Sequence, residues 1–354
     1  MIKVLLIQNY ITNYNLPIYE LISNNPKIEL TILHFGKLES NTKIKQIILP
    51  EKKYFIFYFT NYKLFKICKE FDVVISLADL HYPQLMFLSI LPYKNFKLIY
   101  WTIGVSASYK NKFDKSKKWD YFRRLFYRNA DGLLFYSDYP INKYLMHGFS
   151  NRKLFVAPNT LKVLENKFQT HEKSSILFIG TLYYEKGIFT LLEAYNNAFK
   201  SFMEYPYKLV IIGDGDEKEN IKKWIIDNKQ TDNVLLKGAI FNENILMEYF
   251  QKSLVCVSPN QAGLSVLKSM GYGVPFITNR NAITGGEIFN IINNENGILY
   301  NETSELTNIL IELVTNPEKF HRMGKSAHQF YLDNRKPIHM VNGFFAAIKY
   351  VIES

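Results

Sequence analysis

The chain has 354 residues, of which 47% are hydrophobic and 21% charged, and its net charge is +11. This composition excludes a disordered chain, and the length is typical of two domains. Cys68 and Cys256 are the two cysteines and have no metal or disulfide spacing, so we expect a reducing, cytoplasmic environment. No apolar run reaches the length of a membrane-spanning helix.

Short apolar runs alternate with helical patterns through the first half of the chain. The opening run, MIKVLLIQNY, fits a buried strand better than a signal sequence because its apolar part is short. Further strands are predicted at 30–35, 72–77, 96–104, 132–137 and 154–158. Asp79 and His81 follow the strand at 72–77, so we expect them in a loop at the carboxyl edge of a sheet.

The excess positive charge lies in the first half. Residues 1–165 contain 24 of the 43 Lys and Arg but only 12 of the 32 Asp and Glu. The densest basic run, Lys110 to Arg128, alternates with aromatic residues and is predicted to be a helix. Such a helix either lies on an anionic membrane surface or is solvated with its aromatic residues toward the core. No nucleic-acid-binding module is recognisable, so we expect no nucleic-acid partner.

The second half alternates near-continuous apolar strands with helices, which predicts parallel sheets covered on both faces. A polar segment near 160–175 separates the halves and is predicted to be the interdomain linker. Glycine-containing loops follow four successive strands, GTLYYEKG at 180–187, GDG at 213–215, GAI at 238–240 and NQAGLS at 260–265. Because carboxyl ends of parallel strands meet at one edge, these loops predict a nucleotide-diphosphate site.

The most informative segment is PNQAGLSVLKSMGYGVPFIT, from Pro259 to Thr278. It predicts a strand end, a turn containing Gly263, a helix, and a Gly-x-x-Pro turn into the next strand. The start of that helix offers free amides and a positive dipole end to an anion, and glycine lets a ligand approach the backbone closely. An ordinary βαβ unit with a tight turn has the same pattern, so the segment alone decides nothing.

Taken together, these motifs resemble the donor domain of family-four glycosyltransferases, a large retaining group with the GT-B fold. The resemblance covers residues 175–300 well and the first half only in its βα rhythm. It is carried by Gly180-Thr181-Leu182 with Lys186-Gly187, Gly213-Asp214-Gly215, Val234 with Gly238, and Pro259 followed by Gly263-Leu264, Met270 and Gly273-Val274-Pro275.

This resemblance implies an α/β fold of the GT-B type, with two doubly wound, Rossmann-like parallel-sheet domains facing a central cleft. The implied domains are an acceptor and membrane-side domain at 1–165 and a nucleotide-sugar donor domain at 175–332. A final helix, at 333–354, is expected to cross back to the first domain.

The resemblance also implies roles for individual residues. Lys186 would stabilise the leaving nucleotide diphosphate, or it would be a solvated lysine in a turn. Gly263, Leu264 and Ser265 would give backbone amides to the diphosphate. The other implied donor-site residues are Gly180, Thr181, Gly213, Gly215, Ala239, Ile240, Asn260, Lys268 and Glu287.

Three of these positions depart from the family pattern. The usual arginine after the first glycine falls on Thr181, and the usual pair of glutamates falls on Asn260 and Lys268. Lys268 would reach a phosphate or a ribose hydroxyl, or it would be solvated. Glu287 would hold a sugar hydroxyl, or it would simply begin a helix. The glycine-rich motif and the later Gly285-Gly286-Glu287 are similar to a subgroup of cell-surface polysaccharide glycosyltransferases, which favours an active enzyme.

On the acceptor side, Asp79 and His81 are the predicted catalytic residues, although an ordinary surface loop has the same pattern. Asp79 would assist deprotonation of a sugar hydroxyl. Trp101, at the end of another strand, is expected to stack on a sugar.

The implied function is transfer of a sugar, with retention, from a nucleotide-diphosphate sugar to a glycan or lipid-linked acceptor. The product would belong to a capsule or a lipopolysaccharide O-antigen, made at the inner face of the cell membrane. No cofactor or metal is expected, since the donor is a substrate. The alternatives are a catalytically silent GT-B subunit that partners another transferase and, less favoured, a GT-B sugar epimerase.

Overall fold

The computed structural model describes residues 1–108, 112–115, 118–165 and 172–354. These residues form two compact units. The first unit comprises residues 1–107, the described residues between 112 and 161, and residues 335–354, and the second comprises Ser108 and the described residues between 162 and 334. The predicted linker at 160–175 lies partly outside the described residues, at 166–171.

The first unit contains a seven-stranded parallel sheet with the strand order β11-β10-β7-β6-β1-β2-β3. The strands of this sheet are β1 (Ile2–Gln8), β2 (Ile28–His34), β3 (Lys45–Ile48), β6 (Val73–Leu77), β7 (Lys97–Thr102), β10 (Gly132–Phe135) and β11 (Leu154–Val156). Two separate two-stranded sheets are formed by β4 (Glu51–Tyr54) with β5 (Phe57–Thr60) and by β8 (Ala107–Ser108) with β9 (Lys112–Phe113). The helices of the first unit are α1 (Leu16–Ser23), α2 (Lys63–Cys68), α3 (Pro83–Phe87), α4 (Asp120–Arg128), α5 (Ile141–Met146) and α12 (Pro337–Glu353).

Helices cover both faces of this sheet, which is why its central strands are continuously apolar. The last helix, α12, completes one face, since Met340, Phe344 and Ile348 are buried among the side chains of β1 and β6. The ring of Phe344 lies edge-on to Trp101, with 4.9 Å between the ring centroids. Trp101 is fully buried, so the expectation that it stacks on a sugar is wrong.

The helix predicted in the basic run is shorter than expected, because α4 begins only at Asp120. Tyr127 faces the core, whereas Trp119, Tyr121 and Phe122 are exposed. Of the basic run itself, residues 110, 111, 116 and 117 lie outside the described residues. Among the helices that the structure describes, none has both the length and the apolar composition that crossing a membrane requires.

The second unit contains a six-stranded parallel sheet with the order β14-β13-β12-β15-β17-β19. The strands of this sheet are β12 (Ser175–Ile179), β13 (Lys208–Ile212), β14 (Val234–Leu236), β15 (Ser253–Val257), β17 (Phe276–Asn279) and β19 (Gly297–Tyr300). A separate two-stranded sheet is formed by β16 (Gln261–Ala262) and β18 (Ile283–Thr284). The helices of the second unit are α6 (Ile188–Phe199), α7 (Lys218–Asp227), α8 (Glu243–Lys252), α9 (Leu264–Gly271), α10 (Thr303–Thr315) and α11 (Pro317–Asn334).

Both sheets reverse their winding direction once, between β1 and β6 in the first unit and between β12 and β15 in the second. Helices pack on both faces of the second sheet as well. The prediction of two doubly wound parallel-sheet domains is therefore confirmed. In such sheets, ligands bind outside the carboxyl ends of the strands at the reversal.

Two glycines allow the loops at this edge of the second unit to touch. A β-carbon at Gly213 would overlap the carbonyl oxygen of Gly180, and one at Gly215 would overlap the carbonyl oxygen of Leu182. Hydrogen bonds hold the same loops, from the Gly180 amide to the Ile212 carbonyl (2.9 Å) and from the Leu182 amide to the Asp214 carbonyl (2.9 Å). Glycine is thus required here by backbone contact.

We therefore expect Gly213→Ala to lower the free energy of unfolding by about 3 kcal/mol, because the added methyl group has no space. Gly238→Ala is the matched control. Gly238 has a positive φ of 72° but nothing within 4 Å of its added β-carbon, so only strain of about 1 kcal/mol is expected. Urea unfolding measures both variants, and equal losses would contradict the proposed backbone contact.

Candidate functional site

The loop after β12 and the loop after β15 lie together where the second sheet reverses. The amide of Asn260 donates to the carbonyl of Lys186 (3.3 Å), and the hydroxyl of Tyr183 donates to Oε1 of Gln261 (2.8 Å). The side chain of Asn260 also lies directly on Gly187, which has a positive φ of 72°. Contacts of both backbone and side chains therefore fix the two loops to one another.

The ammonium group of Lys186 is partly removed from solvent, which is unusual for a charged group. Its Nζ lies against Gly180 and 5.6 Å from the ring centroid of Tyr183. Burial lowers the pKa of Lys186 to about 8, and within the described ranges no carboxylate lies in ion-pair range of it. A half-buried ammonium without an anionic partner is stabilised by any anion that binds beside it. It is not the solvated lysine of the alternative interpretation.

Helix α9 begins at the end of the loop that carries Asn260. Gly263 precedes it without a side-chain cap, and the first-turn amide of Val266 donates to the Gly263 carbonyl (2.9 Å). The amides of Leu264 and Ser265 come before the first intrahelical donor, so they are free to bind an anion. Gly263 has a negative φ of −108° and open space around its added β-carbon, so the protein itself does not require glycine there.

The remaining predicted donor-site residues occupy the loops after β12, β13 and β14. The amide of Gly213 donates to the carbonyl of Gly238 (2.8 Å), which joins the second and third of these loops. Thr181 and Ala239 are exposed, and Ile240 is half-buried beside the core under α8 and α9. Backbone groups and small side chains therefore form most of this edge.

Lys268 is neither solvated nor unpaired. Its Nζ lies 2.6 Å from Oε1 of Glu243, at the start of α8, and the hydroxyl of Tyr272 donates to the other oxygen of that carboxylate (3.3 Å). Only 16% of the Lys268 side chain is exposed. The charge of Lys268 is therefore neutralised within the protein, which leaves Lys186 as the unbalanced cation of the two.

Glu287 is buried at the start of a short 3₁₀ helix. It accepts a hydrogen bond from the amide of Gly285 (2.9 Å) and contacts the hydroxyl of Thr284 (3.3 Å). Of the two interpretations of this residue, the arrangement fits the acid at a helix start. One carboxylate oxygen is the acceptor in both of these contacts.

In the first unit, Asp79 and His81 form a pair in the loop after β6. Oδ1 of Asp79 lies 2.6 Å from Nδ1 of His81 and also accepts the His81 backbone amide (2.9 Å). Both side chains are exposed. When Nδ1 donates to the carboxylate, Nε2 is left as the acceptor, which is the tautomer a general base needs.

A family model described as glycosyl transferases group 1 matches residues 162–330. This segment includes all the loops of the second unit described above, but not the Asp79–His81 loop of the first unit. Residues 162–330 belong to the glycosyl transferases group 1 family. The predicted resemblance to that family is confirmed.

Individual proteins similar to the chain are also named as glycosyltransferases. An uncharacterised glycosyltransferase of Haemophilus influenzae is 30% identical over 171 residues, which are 47% of this chain and 46% of that protein. The poly(glycerol-phosphate) alpha-glucosyltransferase of Bacillus subtilis is 25% identical over 230 residues, 62% of this chain and 32% of that protein. The match thus spans less than half the length of either curated relative.

The fold agrees over nearly the whole chain. Anabaena HepE, solved in complex with UDP, superposes with a TM-score of 0.71 at 13% identity and covers 99% of this chain and 100% of its own. The two parallel-sheet α/β domains are those of GT-B glycosyltransferases, so the predicted fold class is confirmed.

Within the described residues, no group of three or more His, Cys, Asp or Glu side chains is arranged to hold a metal ion.

Two features of the group 1 domain were not predicted from the sequence. The contact of Tyr183 with Gln261 joins loops that are far apart in the chain, and no local pattern indicates it. The pairing of Glu243 with Lys268 could have been found, because Glu243 opens a helix directly after the third glycine loop. Its position at the same sheet edge places an acid within reach of α9.

The pKa of Lys186 predicts how anion binding depends on pH. Above pH 8 the free site loses its positive charge, so UDP should bind roughly fivefold to tenfold more weakly at pH 9 than at pH 7.5. Calorimetric titration with UDP measures this, and Lys186→Met should remove most of the pH dependence. Lys173→Met is the control, since burial also lowers the pKa of Lys173 to about 8, but that residue precedes β12. A flat wild-type profile would contradict this role of Lys186.

Gly263 tests close approach of a ligand to the start of α9. Because its added β-carbon meets open space, Gly263→Val should change stability only through the poorer helix cap, by about 0.5–1 kcal/mol. Affinity for UDP should nevertheless fall about tenfold or more, because the branched side chain occupies the space in front of the free amides. Calorimetry and urea unfolding separate the two effects. Unchanged UDP affinity would place the diphosphate elsewhere.

Proposed function

We propose that the chain is a glycosyltransferase that moves a sugar, with retention, from a nucleotide-diphosphate sugar to a glycan or lipid-linked acceptor. The product is a cell-surface glycan, such as a capsule or a lipopolysaccharide O-antigen. The observation that carries the proposal is the half-buried ammonium of Lys186 among glycine loops at the reversal of a doubly wound sheet, with no ion-pair partner in the part of the chain that the structure describes. A relative whose name specifies glucosyl transfer to poly(glycerol phosphate) supports the class of acceptor.

In this proposal the second unit stabilises the leaving group. Negative charge develops on the nucleotide diphosphate as its bond to the sugar breaks. Lys186 meets that charge as an ammonium, and the amides of Leu264 and Ser265 donate hydrogen bonds to it. Interactions that strengthen as the charge forms lower the barrier more than interactions that are equally strong in the ground state.

The acceptor side of the reaction belongs to the first unit. Asp79 holds His81 so that Nε2 accepts a proton, and the pair is exposed to an incoming hydroxyl group. His81 would take the proton of the attacking hydroxyl while Asp79 stabilises the resulting imidazolium. Asp79 therefore acts through His81 in this proposal.

Asn260 and Lys268 favour a second candidate, a silent subunit that binds a partner transferase. The two positions carry an amide and a paired lysine where the family has glutamates.

The two candidates differ in turnover, because the enzyme would transfer the sugar and the silent subunit would not. A thermal-shift series with UDP-, GDP- and dTDP-sugars identifies the donor, since a ligand of the native state raises its stability. Release of nucleoside diphosphate with a glycan acceptor supports an enzyme, and donor binding without release supports the silent subunit.

Lys186→Ala should lower the turnover rate by about 10²–10³-fold, because it removes a group that stabilises developing charge. Lys173→Ala is the matched control and should keep turnover near that of the wild type. It also removes a lysine with a burial-lowered pKa from the second unit, but at the opposite end of β12. Steady-state kinetics with the identified donor measure both variants. Near-normal turnover of Lys186→Ala would overturn the assignment.

We further infer that the protein works at the cytoplasmic face of the membrane, held there by the basic run. Lys115 and Lys118 are exposed, and Trp119, Tyr121 and Phe122 present aromatic rings beside them. Arg123, in contrast, is paired with Asp120 (2.6 Å) and contributes less free charge. Exposed bases near an anionic bilayer each stabilise binding by about 1 kcal/mol at low salt.

A further inference from the structure

The hairpin of β4 and β5 carries the densest group of aromatic residues in the chain. Six of the nine residues from 54 to 62 are Tyr or Phe. The strands pair antiparallel, Tyr54 opposite Phe57 and Lys52 opposite Phe59, so a two-residue turn, Phe55-Ile56, joins them.

One face of the hairpin is fixed to the first unit. Tyr58 stacks on Tyr82 with 5.0 Å between ring centroids, and Tyr82 stacks in turn on Phe35. The amide of Thr60 donates to Oε1 of Gln84 (2.6 Å), and Nε2 of Gln84 donates back to the Thr60 carbonyl (2.9 Å). The hairpin is therefore held at its base, so its tip and outer face have a defined direction.

The tip and the opposite face have no cover in the described structure. Phe55 is 95% exposed and has a positive φ of 53°, an unfavourable backbone conformation for an aromatic residue. Ile56, Tyr54 and Phe59 are also exposed, and Tyr54 contacts Phe59 edge-on. Alternate residues of a strand share a face, so Tyr54 and Phe59 lie on the side opposite Tyr58.

Charge beside the tip indicates which partner would cover it. Lys52 and Lys53 directly precede Tyr54, and both are exposed. Lys53 lies 5.5 Å from the ring centroid of Tyr58, and neither lysine forms an ion pair within the described residues. Aromatic rings flanked by lysines match the interface of an anionic bilayer, where rings enter the headgroup region and ammonium groups meet phosphates.

The hairpin is also linked to α4 through α3. Gln84 links it to α3, and Phe87 at the end of α3 meets Phe126 of α4 edge-on at 5.7 Å. Ile90 and Leu125, near that contact, are exposed as well. Exposed apolar side chains thus occur on the hairpin, at the end of α3 and on α4, all within one unit.

We propose that the β4–β5 hairpin is a membrane anchor whose tip, Phe55 and Ile56, inserts into the interface of an anionic lipid bilayer. Lys52 and Lys53 hold the headgroups above it. This inference adds an apolar contact to the electrostatic one of the basic run, and it does not depend on which sugar is transferred. The two contacts differ in their response to salt, because screening weakens charge attraction but leaves apolar burial unaffected.

The test compares three double variants in co-sedimentation with vesicles of phosphatidylcholine and about one third phosphatidylglycerol, at about 0.05 M and about 0.5 M salt. Phe55→Gly/Ile56→Ser removes the tip and keeps the turn, since glycine accepts the positive φ. Lys52→Gln/Lys53→Gln removes the charge. Met203→Ser/Ile226→Ser removes two exposed apolar residues of the second unit and is the control.

The tip variant should bind vesicles about tenfold more weakly at both salt concentrations, as expected for partial burial of two apolar side chains. The lysine variant should bind more weakly at low salt alone, and the control should bind as the wild type does. In a separate Phe55→Trp variant, bromine-labelled lipids should quench the added fluorescence. Circular dichroism and the thermal shift with UDP should match the wild type in every variant, which separates this test from that of the proposed function.

Equal sedimentation of the tip variant and the wild type would overturn the proposal. Absence of quenching in Phe55→Trp would also overturn it, because the tip would then stay outside the lipid. If the wild type self-associates in light scattering and the tip variant does not, while vesicle binding is the same, the occupant of the hairpin is a second copy of the chain and not a membrane.

Discussion

The candidate site of the second unit depends on an ammonium group that the fold half-buries and that has no carboxylate within ion-pair distance among the described residues. Lys186 is held in this state by the close contact of the loops around it, which rests on Gly187 under Asn260 and on Gly213 against Gly180. Burial destabilises the charged lysine, and that destabilisation is relieved when an anion arrives. In the proposed function, relief of this unfavourable free energy would contribute to the affinity for a diphosphate.

The neighbouring charged side chains, Lys268 and Glu287, already have partners within the protein. Glu243 neutralises Lys268, and the buried carboxylate of Glu287 receives a backbone amide and a hydroxyl group. A second free lysine would bind a diphosphate more tightly in the ground state, and uniform tightening does not raise turnover. Because Lys268 is paired with an acid from another helix, Lys186 is the cation that would respond to the developing charge in the proposed mechanism.

The fold could be predicted from the sequence because most strands are short apolar runs followed by a segment with helical periodicity. Both signals indicate the same alternation of strands and helices. The glycine loops could be predicted for the same reason, since each one ends a strand.

Contacts between distant segments could not be predicted. Trp101 ends a strand at the edge where ligands bind, yet Phe344, more than two hundred positions later, covers it. The start of α4 was also misplaced, because the alternation of bases and aromatic residues continues through a stretch that contains the short strand Lys112–Phe113. For the candidate site, the sequence indicates which loops meet but not which charges are paired.

The packing of α12 on the first sheet has a consequence for how the chain is made. The strands of the first unit are synthesised before the second unit, but part of their hydrophobic surface stays uncovered until residues 337–353 emerge from the ribosome. By then the whole of residues 162–334 has been synthesised, and that unit holds a complete core of its own. Domains usually mature in the order of their synthesis. Here the later unit can finish first, and the earlier one waits with an exposed apolar face, which makes it the half of the nascent chain that most needs a chaperone.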